Sequence, residues 1–325
     1  MAPTEFDALD RKVMQALQLD GRAPFRRIAE VLGVSDQTVA RRYRRLCGGG
    51  TRLRVLGMVD QNRVGRTSWI VRLRCTPDAA ERLAEALARR PDTSYVALES
   101  GGTEVVTSMR PRSREARDEL LLHQLQRTPR ILSVSAHCIL HMFYGGASGW
   151  LSKIQALTPE EESALRPPPV DPSPEPVELD DVDERLLAVL YKDGRASLGE
   201  LQSATAQSES VVRHRLDQLR SRGILYYDVQ YDSEPLGTHV EAMLWLTVAP
   251  SALAAAGRAL AGHPEVSFAA ATTGSANLVA ATQHRSGASL YSYLSERIGA
   301  LEGVYSVETA LTLRQVKQLN YEPMR

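Results

Sequence analysis

Apolar residues recur at helical spacing in three short runs near the start of the chain. Leu9, Val13 and Leu17 share a face over 7–19, Ile28 and Leu32 over 24–32, and Val39, Tyr43 and Leu46 over 36–46. Gly21 is a candidate left-handed cap for the first helix, Gly33 permits a tight turn, and Ser35 can cap the third. Strands are predicted at 53–59 and 224–231, each expected to form a wing. A strand–helix–strand–strand–helix–strand pattern follows the first of these at 69–75, 78–90, 95–99, 104–110, 113–127 and 131–141. It recurs at 242–248, 253–262, 266–271, 277–282, 287–300 and 304–313. That order is the ferredoxin-like split βαβ arrangement.

The recurrence is an internal repeat. A shift of 173 positions lays Asp20-Gly21-Arg22-Ala23 on Asp193-Gly194-Arg195-Ala196 and gives 11 identities over residues 7–46. Pro91, Gly101 and Ser133-Val134 likewise meet Pro264, Gly274 and Ser306-Val307. The expected fold is α+β: two tandem units, each a winged helix-turn-helix followed by a ferredoxin-like βαββαβ domain. The expected boundaries are 1–62 and 63–146 for the first copy, 178–234 and 235–325 for the second. Residues 147–177 lie between them as a linker, with a short helix near 159–165 and six prolines within 166–177. So many prolines predict a stiff, extended spacer.

Bulk charge changes the picture only when the halves are separated. The 325-residue chain has 39 basic and 39 acidic side chains, yet residues 1–150 carry 24 and 16 and the remainder 15 and 23. Only the first half attracts a polyanion on charge alone. Three cysteines without a CxxC pair point to a reducing compartment. The start of the sequence has no signal-peptide pattern, and no apolar run reaches the roughly 18 residues of a membrane span. The expectation is a cytoplasmic protein without a membrane partner.

The third helix carries the candidate chemistry. Opposite its apolar face lie Gln37, Arg41 and Arg44, flanked by Thr38, Arg42 and Arg45 and preceded by Ser35. Gln pairs bidentately with adenine and Arg with guanine in the major groove of double-stranded DNA. Arg26 and Arg27 on the second helix, and Arg52 and Arg54 on the expected wing, suit phosphate contacts. The second copy, 209–219, presents Ser210, His214 and Asp217 instead, with Arg213 and Arg215 at the flank and Ser208 as the counterpart of Ser35. Asp217 stands where Arg44 stood, and Ala206-Gln207 replaces Gly33-Val34, so its interhelical turn is expected to differ. The second copy is a weak or divergent reader, or a structural remnant.

Asp7-x-x-Asp10, Leu17-Gln18-x-Asp20-Gly21-Arg22, Ile28-Ala29 and Ser35-x-x-x-Val39-x-x-Arg42-x-x-x-Leu46 together resemble the Lrp/AsnC family of transcription regulators. The chain resembles a tandem fusion of two such proteins. The resemblance implies an N-terminal winged helix-turn-helix and a C-terminal domain that dimerises and binds a small effector, often an amino acid, with dimers assembling further. It implies an effector loop of the pattern Thr-Gly-x-x-Asp. The near matches are Ser100-Gly101-Gly102-Thr103-Glu104 and Thr273-Gly274-Ser275-Ala276-Asn277. The candidate effector residues are therefore Ser100, Gly101, Gly102, Glu104, Thr273, Gly274 and Asn277. The two sheet domains are expected to pair as an intramolecular pseudo-dimer, and the chain to form homo-oligomers.

Two alternatives are weighed against DNA reading. One is a co-assembly protein of the same fold that does not touch DNA. The other is an enzyme resembling the siroheme decarboxylases, which share the two-domain layout. Their His-Asn-Tyr-Arg and His-x-x-Asn-Met-Trp-Phe stretches are missing here, so no catalytic residue or cofactor is assigned. His137, Cys138 and His141 suggest a metal cluster at first sight, but on a strand Cys138 points away from the two histidines, and no metal is assigned.

Overall fold

The computed structural model describes residues 6–48, 53–170 and 175–320. The first copy runs α1 (Ala8–Leu19), α2 (Phe25–Leu32), α3 (Asp36–Gly48), β1 (Arg54–Val59), β2 (Trp69–Cys75), α4 (Pro77–Ala88), β3 (Thr93–Glu99) and β4 (Glu104–Met109). Next comes α5 (Arg114–Asp118), which continues through a π-helical turn (Glu119–Gln124) into α6 (Leu125–Arg127), and then β5 (Ile131–Tyr144). The linker holds α7 (Pro159–Leu165). The second copy runs α8 (Asp181–Leu190), α9 (Leu198–Thr205), α10 (Glu209–Ser221), β6 (Leu225–Gln230), β7 (Val240–Val248), α11 (Leu253–Gly262), β8 (Val266–Thr272), β9 (Leu278–His284), α12 (Gly287–Ser292) and β10 (Val304–Gln318). A second π-helical turn (Tyr293–Ile298) follows α12.

These elements gather into two compact units. One is Met1–Gly65 with Gly146–Leu236; the other is Arg66–Gly145 with Gly237–Arg325. Each unit is thus assembled from corresponding pieces of both copies.

In the helical unit α1 and α8 start alike. Asp7 and Asp10 exchange backbone and side-chain hydrogen bonds in a capping box, as do Asp180 and Asp183. The turn before α3 is left-handed at Gly33, φ 65°, and the turn before α10 is left-handed at Ala206, φ 55°. The second turn therefore keeps the first one's shape instead of differing, at the cost of a left-handed alanine, about 1 kcal/mol. Gly21 does not adopt the left-handed cap the sequence suggested, since α1 ends on Asp20 in extended conformation. Its reason is proximity: a Cβ there would lie 2.5 Å from Tyr227 Cβ, and one on Gly194 would lie 2.9 Å from the Val55 carbonyl oxygen.

The two strands expected to be wings pair with one another. β1 and β6 form an antiparallel ribbon, Arg54 opposite Gln230 through Val59 opposite Leu225. The repeated Asp-Gly-Arg-Ala turns close around this ribbon reciprocally. Arg22 donates to the Gly194 carbonyl at 2.9 Å, and Arg195 donates to the carbonyls of Gly21 at 2.6 Å and Ala23 at 3.2 Å while lying over the Phe25 ring. A single core joins Val13, Leu17, Ile28 and Val39 to Leu186, Leu190, Val212 and Leu219.

Before its prolines the linker is docked on the helical core; of the proline-rich stretch 166–177 expected to be an extended spacer, residues 171–174 lie outside the described residues. Gln15 accepts hydrogen bonds from the Ala156 and Leu157 amides, Lys12 pairs with Glu161, and Leu151 and Leu165 are fully buried in the helical core. Past the prolines, Val177 donates to the Arg63 carbonyl at 2.8 Å.

The sheet unit is a closed eight-stranded barrel in the order β10-β3-β4-β2-β5-β8-β9-β7. β5 pairs with β2 through Cys138 and then with β8 from Ile139 onward. β10 pairs with β7 through Leu311 and then with β3 from Thr312. Each last strand runs past its expected end because its second half closes the edge of the other copy's sheet, satisfying backbone groups that one copy would leave open. Apolar clusters lie under the helices of each half, around Leu73 and Leu87 and around Leu244 and Leu260. Ile70, Val106, Met243, Trp245, Val279 and Ala310 form a further apolar cluster that draws on strands of both copies. Among the described residues, no helix is long and apolar enough to cross a membrane.

Candidate DNA-recognition surface and effector loops

Burial of Val39 and Leu46 and the contact of Tyr43 with Phe25, ring centroids 5.2 Å apart, set the rotation of α3. The opposite face is exposed: Ser35, Gln37, Arg41, Arg44 and Arg45 face solvent and Thr38 is half-buried. Ser35 Oγ accepts from the Thr38 amide at 3.1 Å and so caps the helix. Gln37 and Arg41 have no side-chain partner within the described residues, and Arg44 makes only a 3.4 Å bond to its own helix at the Ala40 carbonyl. Three long donors therefore project from one face with no tie to another element among the described residues.

The neighbouring arginines are used differently. Arg42 is half-buried and reaches back to Asp7 and Asp10, and Arg45 also pairs with Asp10, whose side chain is fully buried. Burial opposes the charge on Asp7, but hydrogen bonds from the Asp10 amide and Arg42 outweigh it and hold its carboxyl below the ordinary range. Arg42 is thus a tie from α3 to the start of α1 rather than a free phosphate contact. Arg27, expected on the phosphates, donates to the Ala164 carbonyl of α7, and Arg26 pairs with Glu30. Arg54 is half-buried on β1. Arg52 lies outside the described residues.

α10 repeats the scaffold without the open face. Val212, Leu216 and Leu219 are buried, Ser208 caps the helix at the Val211 amide and shares a 3.0 Å bond with Ser210. Arg215 pairs with Asp180 at 2.7 Å and Asp183 at 3.2 Å, as Arg42 does in the first copy. Arg213 is held by Glu209 one turn back, at 2.7 Å. His214, Asp217 and Gln218 remain exposed. Both flanking cations are spoken for, and a carboxylate stands in the outward face.

The two effector loops diverge further. In the first, Ser100, Gly101 and Gly102 are successive left-handed residues at φ 52°, 71° and 79°. Ser100 Oγ donates to Glu104, and buried Glu104 is paired with Arg72. Arg72 also pairs with Glu308 and lies 5.0 Å from the Trp245 ring centroid. Glu99, fully buried, makes no geometrically sound hydrogen bond at either oxygen. Burial, and then the charge of Glu104, pushes its carboxyl up to about 8 despite Arg72.

In the second loop Thr273 and Asn277 are engaged with their own barrel. Asn277 Oδ1 accepts from the Val248 amide and its Nδ2 donates to the Val248 carbonyl, both at 2.8 Å. Thr273 Oγ1 accepts from the Cys138 amide at 2.9 Å, and the Thr273 carbonyl meets His137 Nδ1 at 2.7 Å. A Cβ on Gly274 would lie 2.5 Å from that nitrogen. His137 therefore packs against the loop, while His141 stacks edge-on against Phe143 at 4.6 Å.

Residues 6–46 match the AsnC-type helix-turn-helix domain, 179–226 a winged helix-turn-helix DNA-binding domain, and 241–321 the Lrp/AsnC ligand binding domain. The chain belongs to the Lrp/AsnC family. Among similar proteins is the HTH-type transcriptional regulator FL11 of Pyrococcus furiosus, 26% identical over 45% of this chain and 97% of its own. The HTH-type transcriptional regulator LrpA of Pyrococcus horikoshii is 26% identical over 43% of this chain and 99% of its own. The siroheme decarboxylase NirDL has a similar fold, with a TM-score of 0.64 over 98% of this chain and 95% of its own at 15% identity. At that identity the likeness concerns the fold alone.

Within this Lrp/AsnC chain, sequence reasoning missed the charged group formed by Arg72, Glu99, Glu104 and Glu308. Its members come from four strands and acquire meaning only when β10 of the second copy crosses onto β3 of the first. It also missed the roles of Arg22 and Arg195, although their repetition in Asp-Gly-Arg-Ala was a usable signal.

Proposed function

We propose that this chain is a sequence-specific, DNA-binding transcription regulator of the Lrp/AsnC type that responds to a small effector such as an amino acid. One observation carries the reading: Gln37, Arg41 and Arg44 stand on the exposed face of a helix anchored by Val39 and Leu46, and among the described residues their side chains have no partner beyond the Ala40 carbonyl of their own helix. The first copy reads bases from this face. The second, with Arg213 and Arg215 tied to acids and Asp217 in the open, contributes position more than sequence. The operator is therefore asymmetric within one chain's footprint, or palindromic where two chains present two copies of α3.

The effector reading rests on the ligand-binding family match and on the two loops. The first loop, with its run of left-handed backbone and the charged group beneath it, is the better candidate. In the second loop the side chains of Thr273 and Asn277 are already hydrogen-bonded. NirDL's fold supports an enzyme only by analogy, and the curated relatives are named as transcriptional regulators. In vitro selection of DNA by the full chain, with and without a panel of amino acids, tests the whole reading. Enrichment of a defined motif, shifted by at least one amino acid, is the expected outcome. Retention of random DNA without enrichment would refute sequence reading.

A further inference from the structure

The first sheet domain carries a groove of about 410 Å³ between α4 and the helix that runs from α5 through its π turn. Leu83, Leu87 and Leu120 form its floor, and Arg82, Arg90 and Arg130 stand at its rim. The size falls within the range of small-molecule pockets, roughly 300–1,000 Å³.

The second copy supplies an internal control, 173 residues on. Leu120 is replaced by Tyr293, Arg82 by Ala255, Arg90 by His263 and Arg130 by Gly303. Tyr293 is only 3% exposed, its hydroxyl lies 2.9 Å from His263 Nδ1, and the two rings meet edge-on at 5.6 Å. A phenol and an imidazole occupy in one copy the region that a leucine leaves open in the other. The three guanidinium groups occur around the open version.

The charges at that rim are unequal. Arg90 is bound to Asp92 and Gln124, and Arg130 to Asp78. Arg82 is exposed and has no acidic partner among the described residues. An apolar floor beside one uncompensated guanidinium complements a molecule with an apolar body and a single negative charge, because burial and a charge-assisted hydrogen bond then act together. We propose that this groove binds a small amphipathic carboxylate, its acyl or aryl body on the leucine floor and its carboxylate at Arg82. The site is separate from the two effector loops and does not depend on their reading.

Calorimetric titration of the full chain with octanoate and with 3-phenylpropionate tests this, with octylamine as the charge control. Saturable binding of at least one acid, and none of the amine, is expected. Leu120→Tyr, which copies the second domain's filling, should abolish that binding. Arg82→Glu should weaken it by roughly tenfold or more, and Tyr293→Leu should leave it unchanged. Should Leu120→Tyr fail to fold by circular dichroism, Arg82→Glu on the exposed rim decides alone. Absence of saturable binding by both acids, binding that survives Arg82→Glu or a folded Leu120→Tyr unaltered, or equal binding of octylamine would overturn the proposal.

Discussion

α3 and α10 share a skeleton and differ in what they show to solvent. Both are capped by a serine, anchored by an equivalent valine and leucine, preceded by a left-handed turn, and tied to the first helix of their copy by Arg42 or Arg215. Among the described residues Gln37 and Arg41 of α3 have no side-chain partner, whereas Arg213 and Arg215 of α10 are paired with acids. Residues that hold the third helix in place and the residues proposed to read DNA are therefore separable, and the first set is shared by the two copies where the second differs. The effector loops repeat the lesson, since Glu104 belongs to an ionic group while Asn277 satisfies the backbone of Val248.

The largest contrast is expected at the recognition faces. Replacing Gln37, Arg41 and Arg44 together by alanine should cost the preference for operator over random DNA, at about 1–3 kcal/mol for each base-reading pair. The same treatment of Ser210, Arg213 and His214 should change it only a few-fold. Fluorescence anisotropy with both DNAs measures this, and equal losses from the two faces would erase the distinction drawn here.

The loops should differ in their response to pH. Glu99 has a folded-state carboxyl raised to about 8, so its contribution to stability is full below its unfolded value near 4.5 and is lost as pH rises through about 8. Glu99→Gln should flatten the dependence of denaturant midpoint on pH between 5 and 8, with a relative gain of up to a few kcal/mol at the alkaline end. Thr272→Val, at the equivalent place in the second copy, should leave the slope as it is. An unchanged slope in Glu99→Gln would show that its carboxyl titrates normally.

A smaller effect separates the ties beneath the helices. Asp10 is fully buried and serves Arg42 and Arg45, whereas Asp183 serves Arg215. Asp10→Asn should cost about 1–2 kcal/mol, discounted for the solvent exposure of the arginines, and Asp183→Asn less. Urea unfolding of each variant compares them. The smallest effect concerns the turns. Ala206→Gly should stabilise the second domain and Gly33→Ala destabilise the first, each by about 1 kcal/mol. Equal and opposite shifts in melting temperature would show that the two turns are one geometry in two chemistries.

Much of this architecture was legible in residue order. The 3.6-residue spacing placed α1 to α3, and the 173-residue shift placed the second copy. Alternation and turn residues placed the two βαββαβ runs. The reading faltered where partners are remote. The strands at 53–59 and 224–231 read as corresponding wing strands of the two copies, and that they hydrogen-bond to one another is visible only in the fold. Arg42 and Arg27 counted as surface cations until Asp7, Asp10 and the α7 carbonyl of Ala164 were brought beside them. Gly21 suggested a cap because glycine commonly ends helices, while its actual constraint is the Tyr227 side chain more than 200 positions away.

Periodicity and internal repetition by themselves settled that the chain is a doubled helix-turn-helix and sheet protein, and which face of its third helix is polar. These are properties of neighbours three, four or 173 positions apart, and such spacings are visible in one dimension. Tertiary structure alone decided that like pieces of the two copies gather together, that β5 and β10 close one barrel, and which arginines of the helices are tied to acids or carbonyls. Those outcomes depend on distant groups satisfying one another's hydrogen bonds and charges, and no local pattern encodes which partner a strand edge or a guanidinium will find.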